Sequence, residues 1–318
     1  REPAPGRRRR PDAFGPMSGA LRIATRRSRL ALWQAEHVAS RLAAVHPSLV
    51  VSLVPIVTEG DRIQDRSLAA VGGKGLFIKE LETAMLEGVA DLAVHSMKDV
   101  PGRMPPGFAI AAALERGDAR DAFVSVRHES LAALPPGARV GTSSPRRECQ
   151  LRRKRPDLAV VVMRGNVETR LRKLEAGECE ALILAAAGLE RLGLADRIRS
   201  RLAPEEMLPA VGQGVVGIEC VASRQDVLAL VRPLEHAATR VSLDAERGFA
   251  AGLGASCRSP IAAHATVEGG DLRLAGLVGS QDGTAVFADE LAGPATDAAR
   301  IGSELAARLV ASGAGALL

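Results

Sequence analysis

The sequence predicts an α/β protein with two doubly wound lobes and a small α+β domain at the C-terminal end. Two observations indicate the lobes: short apolar runs alternate with longer amphipathic stretches in residues 21–95, and the same alternation returns in residues 139–192. This alternation is typical of strand–helix–strand units on a parallel sheet. A third observation indicates the last domain, because three short alternating runs after residue 260 are typical of an antiparallel meander.

The predicted elements of the first lobe place two short polar segments at one edge of its sheet. Residues 26–28 follow the first strand, and residues 96–99 follow the third. In sheets of this kind the loops after the carboxyl ends of the strands form the binding crevice. We predict strands at 21–25, 50–57 and 91–95 and helices at 30–45 and 75–87.

The second lobe repeats this arrangement, so we expect a cleft between the two lobes. We predict its strands at 139–141, 159–163 and 180–184 and its helices at 145–155, 167–176 and near 188–192. For the last domain we predict a helix at 240–253, strands at 261–267, 272–278 and 285–289, and a covering helix at 297–311.

Composition excludes several classes of protein. A chain of 318 residues with 47% hydrophobic and 25% charged residues is typical of folded globular proteins and is long enough for two or three domains. The longest apolar runs fall well short of the roughly 18 residues that span a bilayer. No signal-peptide core follows the first residues either. We therefore expect a cytoplasmic protein without a membrane partner.

Residues 1–16 carry an unusual basic run. They hold five arginines and two acidic residues, and so contribute +3 of the formal net charge of +5. Such a run either contacts nucleic acid or is a disordered extension, a cloning remnant or a mis-assigned start upstream of Met17. Aromatic residues make up 2% of the chain and tyrosine is absent, so stacking platforms for bases are few. We expect a disordered tail and no nucleic-acid partner.

The four cysteines show no pattern of a metal site or a disulfide framework. Cys149, Cys179, Cys220 and Cys257 have no CxxC spacing and no histidines at ligand intervals. Reduced thiols and no bound metal are therefore expected. Cys257 follows the small residues 252–256, which let a bulky group lie close to the backbone, although a free cysteine is usually a small core residue.

One candidate anion site lies at the start of the helix at 145–155. Thr142, Ser143 and Ser144 precede this helix, and Arg146 and Arg147 lie in its first turn. Hydroxyls, free N–H groups and the positive end of the helix dipole meet there. The same residues also suit an ordinary helix cap. The two arginines favour the anion site, because a helix N-terminus disfavours positive charge unless an anion is bound beside it.

Four further arginines lie at predicted loop edges or on helices facing the same crevice: Arg26, Arg164, Arg170 and Arg191. Taken singly, each is better explained as a solvated surface charge. The planar guanidinium suits a bidentate grip on a carboxylate. A cleft lined by several of them predicts a substrate with several carboxylates.

Lys98 and Asp99 end an apolar strand, and the following Val100-Pro101 forces an extended exit. An acid at the carboxyl end of a strand among cations is a candidate proton-transfer group or stabiliser of a cation. A buried Lys–Asp ion pair explains the pattern equally well.

Longer motifs occur in one order along the chain, and together they resemble the hydroxymethylbilane synthase (porphobilinogen deaminase) family from about residue 21 to residue 260. The first-domain motifs are RIATRRSRLALW (22–33), VGGKGLF (71–77) and VHSMKDVP (94–101). The second-domain motifs are GTSSPRR (141–147), RGN (164–166), Arg170 and LAAAGLERLGL (184–194), and LPAVGQG (208–214) resembles the return to the first domain.

The resemblance implies two periplasmic-binding-protein-like lobes and a third domain that carries a cofactor cysteine. It implies a discontinuous domain 1 at 17–114 and 215–232, domain 2 at 115–214, and domain 3 at 233–318. The tail at 1–16, which we expect to be disordered from its composition, has no counterpart in the family.

The resemblance also implies the chemistry. In this family four porphobilinogen molecules lose ammonia and are joined head to tail on a covalent dipyrromethane, and hydrolysis then releases hydroxymethylbilane for tetrapyrrole biosynthesis. Cys257 matches the thioether attachment point of the cofactor, and Asp99 matches the catalytic carboxylate. The remaining matches are cofactor-binding Ser28, Lys98, Thr142, Ser143, Ser144, Arg146 and Arg147, and substrate-binding Arg26, Arg164, Arg170 and Arg191.

Some positions depart from the family. Arg29 stands where many members have Pro, Pro145 where an apolar residue is common, and Ala255-Ser256 where Gly-Gly is frequent. None of these changes removes a chemical group that the reaction needs, so we expect a transferase that acts on porphobilinogen. We also expect the protein to be a monomer. A two-lobed solute-binding protein is the alternative, since it shares the lobes and the cationic cleft but needs neither Asp99 nor Cys257.

Overall fold

A computed structural model describes residues 19–62, 77–254 and 259–318 of the chain. The predicted tail at 1–16, part of the motif at 71–77, and Cys257 lie outside the described residues. In chain order the strands are β1 (Ala20–Arg26), β2 (Val50–Ile56), β3 (Leu92–Ser96), β4 (Phe108–Ala113), β5 (Asp121–Ser125), β6 (Arg139–Thr142), β7 (Ala159–Val162), β8 (Ala181–Ala185), β9 (Ser200–Leu202), β10 (Val216–Val221), β11 (Ile261–Glu268), β12 (Asp271–Gly279) and β13 (Val286–Pro294). The α-helices are α1 (Arg29–Val45), α2 (Glu59–Arg62), α3 (Lys79–Leu86), α4 (Pro145–Lys154), α5 (Val167–Glu175), α6 (Ala186–Arg191), α7 (Gln225–Val231), α8 (Ala237–Gly252) and α9 (Ala298–Ala311).

The first lobe is a five-stranded sheet in the order β2-β1-β3-β10-β4. β1 runs parallel to β2 and β3, whereas β10 runs antiparallel to both β3 and β4. Helix α1 buries Val38 and Leu42 against Leu21 and Ile23 of β1, all at 0% exposure. The buried apolar face of this helix explains why its amphipathic pattern was visible in the sequence.

The second lobe has the same plan, with the strand order β7-β6-β8-β5-β9. β6 runs parallel to β7 and β8, and β5 runs antiparallel to β8 and β9. Each lobe therefore combines the predicted parallel strands with antiparallel ones. The chain leaves the first lobe along β4, enters the second lobe along β5 and returns to the first lobe along β10. The strands β4, β5 and β10 are therefore not joined to their sheet neighbours by right-handed crossovers.

Two crossing segments connect the lobes, one between β4 and β5 and one between β9 and β10. They lie side by side: Gly117 N donates to Gly214 O over 3.1 Å, and Leu114 N donates to Val216 O over 3.0 Å. Gly214 has a φ of +87°, and a Cβ there would lie 2.6 Å from the Gly117 carbonyl oxygen. Only glycine fits this close approach without strain.

The third sheet has the order β11-β12-β13 and is antiparallel, as predicted. Helices α8 and α9 cover it and bury Phe249 and Leu305 at 0% exposure. The fold prediction of two α/β lobes and a small α+β domain is thus confirmed. The domain boundaries stay a proposal. Within the described part of the chain, no helix is long and apolar enough to cross a membrane.

The carboxylate of Glu246 on α8 joins this third unit to the two crossing segments. It is 0% exposed and accepts hydrogen bonds from Arg116 Nη1 at 2.6 Å, Gly212 N at 2.7 Å and Ala265 N at 2.8 Å. Arg116 and Gly212 belong to the two crossing segments, and Ala265 belongs to β11. One buried carboxylate therefore fixes the third domain against the junction of the lobes.

Candidate functional site

The N-terminus of α4 has the cap that the sequence predicts. Ser144 is the N-cap, and its hydroxyl accepts from Arg147 N at 3.5 Å, while Thr142 Oγ1 accepts from Ser144 N at 3.2 Å. Pro145 occupies the first helical position, where no donor is lost. Thr142 is 2% exposed, and Ser143 and Ser144 are half-buried. These hydroxyls cap the helix, which leaves their role in binding an anion as a proposal.

Arg146 and Arg147 of α4 point into the second lobe and converge on Asp121 at the start of β5. Arg146 Nη1 lies 2.7 Å from Asp121 Oδ2, and Arg147 Nη2 lies 2.7 Å from Asp121 Oδ1. All three residues are 5% exposed or less. The two guanidiniums hold the pKa of the Asp121 carboxyl far below its usual range, against the opposing effect of burial. This cluster carries two cations and one anion.

Sequence reasoning missed Asp121 and its neighbour Gln213. Gln213 Nε2 donates to Asp121 Oδ1 at 3.0 Å, and its side-chain oxygen accepts from Arg146 at 3.5 Å. The available signal was an acid directly before the apolar run at 122–124, which indicates a charge at the end of a buried strand. Without the sheet order, nothing in the sequence pairs that acid with α4.

Lys98 and Asp99 lie in a 3-10 turn, Met97–Asp99, directly after β3. Met97 anchors this turn: its side chain is 1% exposed, and its N–H donates to Val215 O at 3.0 Å. Burial lowers the pKa of Lys98 to about 8, in spite of the opposing charge of Asp99. Charges of the Arg146–Asp121–Arg147 cluster also act on Lys98. The turn of the first lobe therefore faces α4 of the second.

Arg170 and Arg164 complete this group of charges. Asn166 caps α5, and Arg170 Nε donates to Gly165 O at 2.8 Å across the loop that precedes the helix. The pKa of Arg170 falls to about 10 through burial and the nearby charges of Arg147 and Arg164, while Asp99 acts in the opposite direction. Asp99 therefore lies within electrostatic reach of cations from both lobes.

Among the side chains that the structure describes, the cations gathered around Asp99 outnumber the carboxylates. Five cationic side chains and two carboxylates act on one another there: Lys98, Arg146, Arg147, Arg164 and Arg170 with Asp99 and Asp121. Positive charge away from water is costly unless anions compensate it. The arrangement is therefore suited to a ligand that carries several negative charges.

Arg26 and Ser28 lie at the first-lobe edge of the cleft. Ser28 is the N-cap of α1 and accepts from Ala31 N at 3.3 Å. Arg26 forms an ion pair with Asp61, and its guanidinium lies 4.1 Å from the centre of the Phe77 ring. Arg26 already holds a carboxylate of its own chain, so a substrate carboxylate would have to replace or share it.

The neighbouring Arg29 links the two lobes. Its Nη1 lies 3.2 Å from Glu168 Oε1 at the start of α5. Arg29 departs from the family pattern, and its charge is unfavourable at a helix N-terminus. Glu168 on the other lobe compensates that charge.

The structure places Arg191 at the crossing segments. Its Nη2 donates to Gly214 O at 2.6 Å, and its guanidinium lies 5.7 Å from the centre of the Trp33 ring, which stacks on His37. These side chains line a cavity of about 290 Å³ beside the crossing segments. Burial lowers the pKa of Arg191. Arg191 thus braces the junction of the lobes in addition to its predicted role in substrate binding.

The three cysteines within the described part of the chain are buried thiols. Burial raises the pKa of Cys149, Cys179 and Cys220 to about 11 each. A thiol of this kind is a poor nucleophile at neutral pH, because the thiolate is the reactive form. Among the residues that the structure describes, no group of histidine, cysteine and acidic side chains has the geometry to hold a metal ion.

Two family models and several curated proteins match this chain. The family model "Porphobilinogen deaminase, dipyromethane cofactor binding domain" matches residues 21–229, and the model of the C-terminal domain of the same family matches residues 241–311. The chain is 55% identical over 296 residues to the porphobilinogen deaminase of Chromobacterium violaceum, covering 93% of this chain and 96% of that protein. It is 56% identical over 299 residues to the Stenotrophomonas maltophilia porphobilinogen deaminase, covering 94% of this chain and 98% of that one.

Solved structures with similar chain traces are more distant. The periplasmic VFT2 domain of Bordetella pertussis BvgS has a TM-score of 0.41 at 14% identity, covering 67% of this chain and 85% of that one. The methionine binding protein MetQ has a TM-score of 0.43 at 13% identity, with 74% of this chain and 94% of that one covered. The two family matches span most of the chain, and both relatives exceed half identity over nearly their full length. The chain belongs to the porphobilinogen deaminase family.

Proposed function

We propose that the cleft between the two lobes performs the reaction of this family with Asp99 as its catalytic carboxylate. The chain is a transferase of tetrapyrrole biosynthesis that condenses four porphobilinogen molecules head to tail with release of ammonia. The observation that carries the site assignment is the excess of cationic side chains over carboxylates around Asp99 among the residues that the structure describes. Porphobilinogen bears an acetate and a propionate, so the substrate and every product of its condensation supply the missing negative charge.

The dipyrromethane cofactor of the family fits the same residues. Two pyrrole rings bring four carboxylates, which matches a cluster with a surplus of guanidinium and ammonium groups. When bound, the cofactor supplies the free pyrrole carbon from which the chain grows. We propose Cys257 as its thioether attachment point and the following side chains as its binding groups: Ser28, Lys98, Thr142, Ser143, Ser144, Arg146 and Arg147.

The position of Asp99 suits a group that holds and moves protons. Asp99 lies in the turn directly after β3, within electrostatic reach of Lys98 and Arg170. An ionised carboxylate accepts hydrogen bonds from pyrrole N–H groups. It also stabilises the cation that forms when the substrate loses ammonia, and it can accept the proton that leaves the ring after carbon–carbon bond formation.

The second group of arginines would orient the incoming substrate. Arg164 and Arg170 belong to the cation cluster itself, whereas Arg26 lies over the Phe77 ring and Arg191 lies at the crossing segments. In this proposal Arg26 breaks its ion pair with Asp61 and binds a carboxylate of the substrate instead. Charge-assisted hydrogen bonds of this kind contribute roughly 1.5–3 kcal/mol each.

We further propose that the protein is a cytoplasmic monomer with three domains, at 17–114 with 215–232, at 115–214 and at 233–318. The separate sheets and the buried, unpaired thiols of Cys149, Cys179 and Cys220 support these proposals. Light scattering on the eluate of a sizing column would test the monomer: a mass near twice 33.2 kDa would contradict it.

The mass of the intact protein tests the assignment of Cys257. Wild-type protein from cells that make the cofactor should be heavier than the bare chain by one dipyrrole. Cys257→Ser should abolish the excess, whereas the control Cys179→Ala should keep it. A wild-type mass equal to the bare chain would contradict the covalent cofactor.

A second variant tests Asp99. Asp99→Ala should retain the excess mass and lose roughly 100-fold or more of the turnover, since positioned proton transfer contributes about that much. An active Asp99→Ala variant would show that another group handles the protons.

A further inference from the structure

A cluster of three titratable side chains lies inside the first lobe, away from the cation cluster. His95 on β3, Glu219 on β10 and Glu82 on α3 are each 9% exposed or less. His95 Nε2 lies 2.7 Å from Glu219 Oε2. Glu82 lies close enough to Glu219 for the charge of Glu219 and side-chain hydrogen bonding to it to raise the pKa of Glu82. The reaction proposed above uses none of these three groups.

The two glutamates leave two buried oxygens without a donor. Glu82 Oε1 and Glu219 Oε1 are inaccessible to solvent, and neither has a hydrogen-bond partner. Buried polar atoms are almost always satisfied, and two carboxylates in contact cannot both be ionised at low cost. A proton held between the two carboxyl groups supplies a donor that this pair lacks. The burial and the missing donors therefore favour a proton shared by Glu82 and Glu219.

The surroundings are consistent with one proton on this pair. Burial and the charge of Glu219 raise the pKa of Glu82 to about 7. Two side chains of basic residues act on Glu219. His95 from β3 contacts its carboxylate, and the charge of Arg247 from α8 interacts with it. The adjacent Cys220 thiol has its pKa raised to about 11 and stays neutral.

Further charges surround Arg247. Asp244 and Arg240 of the same helix act on it in opposite directions. The groups that face the shared proton thus come from α3, β3, β10 and α8.

The cluster lies where three elements of the proposed site begin or end. β3 runs directly from His95 to the turn that carries Asp99. β10 pairs with β3, with Gly217 opposite His95. Helix α3 starts two residues after Phe77, the ring that supports Arg26. A bond between Glu82 and Glu219 therefore ties α3 to the sheet beside the catalytic turn.

We propose that Glu82, Glu219 and His95 act as positioning residues, and that the proton shared by the two glutamates holds α3, β3 and β10 together and thereby keeps Asp99 and Arg26 in their working places. This proposal rests on the function proposed for Asp99. Its structural part, the shared proton, does not depend on that function. The two parts are therefore tested by separate measurements.

The pH dependence of folding tests the shared proton. Because the pKa of Glu82 is about 7 in the folded protein and near 4.5 otherwise, the unfolded chain binds fewer protons between these values. The stability of the wild type should therefore fall as pH rises through that window, by up to roughly tenfold in the unfolding constant per pH unit. Glu82→Gln supplies a permanent donor and should lose this component. Glu87→Gln, the same change at an exposed position just after α3, should keep it.

Steady-state kinetics of the holoenzyme test the positioning. Glu82→Ala should lower kcat by roughly tenfold with little change in KM, since most of the proposed carboxylate-binding arginines lie on the second lobe. Glu82→Gln should restore most of that loss and should keep its kcat at alkaline pH better than the wild type. The dipyrrole mass, measured in each variant, confirms that equal amounts of holoenzyme are compared.

Each outcome decides one part of the proposal. Parallel stability profiles of wild type and Glu82→Gln between pH 4.5 and 7 would overturn the shared proton. A kcat of Glu82→Ala equal to that of the wild type would overturn the positioning role and leave the function of Asp99 untouched. If Asp99→Ala retains the turnover of the wild type, the catalytic role proposed for Asp99 fails, whereas the shared proton is unaffected.

Discussion

Asp121→Asn tests the buried charge cluster most directly. The Asp121 carboxylate is 0% exposed and accepts five hydrogen bonds: two from Arg146 at 2.7 and 3.2 Å, two from Arg147 at 3.0 and 2.7 Å, and one from Gln213 at 3.0 Å. The substitution keeps the shape of the side chain and removes its charge. Two guanidiniums then lie side by side in the interior without a counterion.

We expect this substitution to lower the free energy of unfolding by about 3–5 kcal/mol, because removing one partner leaves a buried charge uncompensated. Urea unfolding at pH 7 measures the loss. Asp118→Asn is the matched control: Asp118 also pairs with two arginines, Arg120 and Arg201, but its partners are 45% and 36% exposed. Exposed pairs contribute about 1 kcal/mol or less, so the control should lose no more than that.

The pH dependence provides a further check on the same residue. The pKa of Asp121 is depressed in the folded protein, so its stabilising effect is complete above the ordinary value of 3.8 and is lost as pH falls below it. The difference between wild type and Asp121→Asn should therefore shrink only in acid. A loss below about 1 kcal/mol at pH 7, or one equal to that of Asp118→Asn, would refute the argument that Asp121 compensates both arginines.

Three further predictions concern single positions. Gly214→Ala should lower the free energy of unfolding in urea by about 2 kcal/mol or more, because φ is +87° and the new Cβ would lie 2.6 Å from Gly117 O. The control Gly177→Ala, at φ +78° in open space, measures the backbone strain alone. Equal losses of unfolding free energy in the two variants would exclude a steric clash at Gly214. Arg147→Lys should lose about 2 kcal/mol of stability as well as cofactor content, since lysine cannot bond both Asp121 and Ile183 O as the guanidinium does; unchanged stability would contradict its structural role. In cofactor-free protein at pH 7 a thiol reagent should leave Cys149, Cys179 and Cys220 unlabelled, because these thiols are buried with pKa values of about 11. Mass spectrometry of digested protein that shows a label on any of the three before unfolding would contradict this.

Local pattern was enough for most helices and for the site motifs. The buried face of α1 and the cap of α4 depend on residues a few positions apart, so periodicity and cap chemistry predict them. The strands β4, β5, β9 and β10 were not predicted, because a short apolar run carries no information about which sheet it joins or in which direction. The sequence motifs also led to the family, which the comparisons with known proteins confirm.

The sequence by itself determined the alternation of strands and helices, the position of Asp99 at the end of a strand, and a cleft rich in cations. The tertiary structure decided which charges meet there: Asp121 binds Arg146 and Arg147, Arg191 braces the crossing segments, and Glu82 reaches Glu219. These partners are 23 to 137 positions apart in the chain. Local patterns reflect the geometry of one helix or strand, whereas the partner of a buried charge depends on the order of strands and on the face that each helix packs.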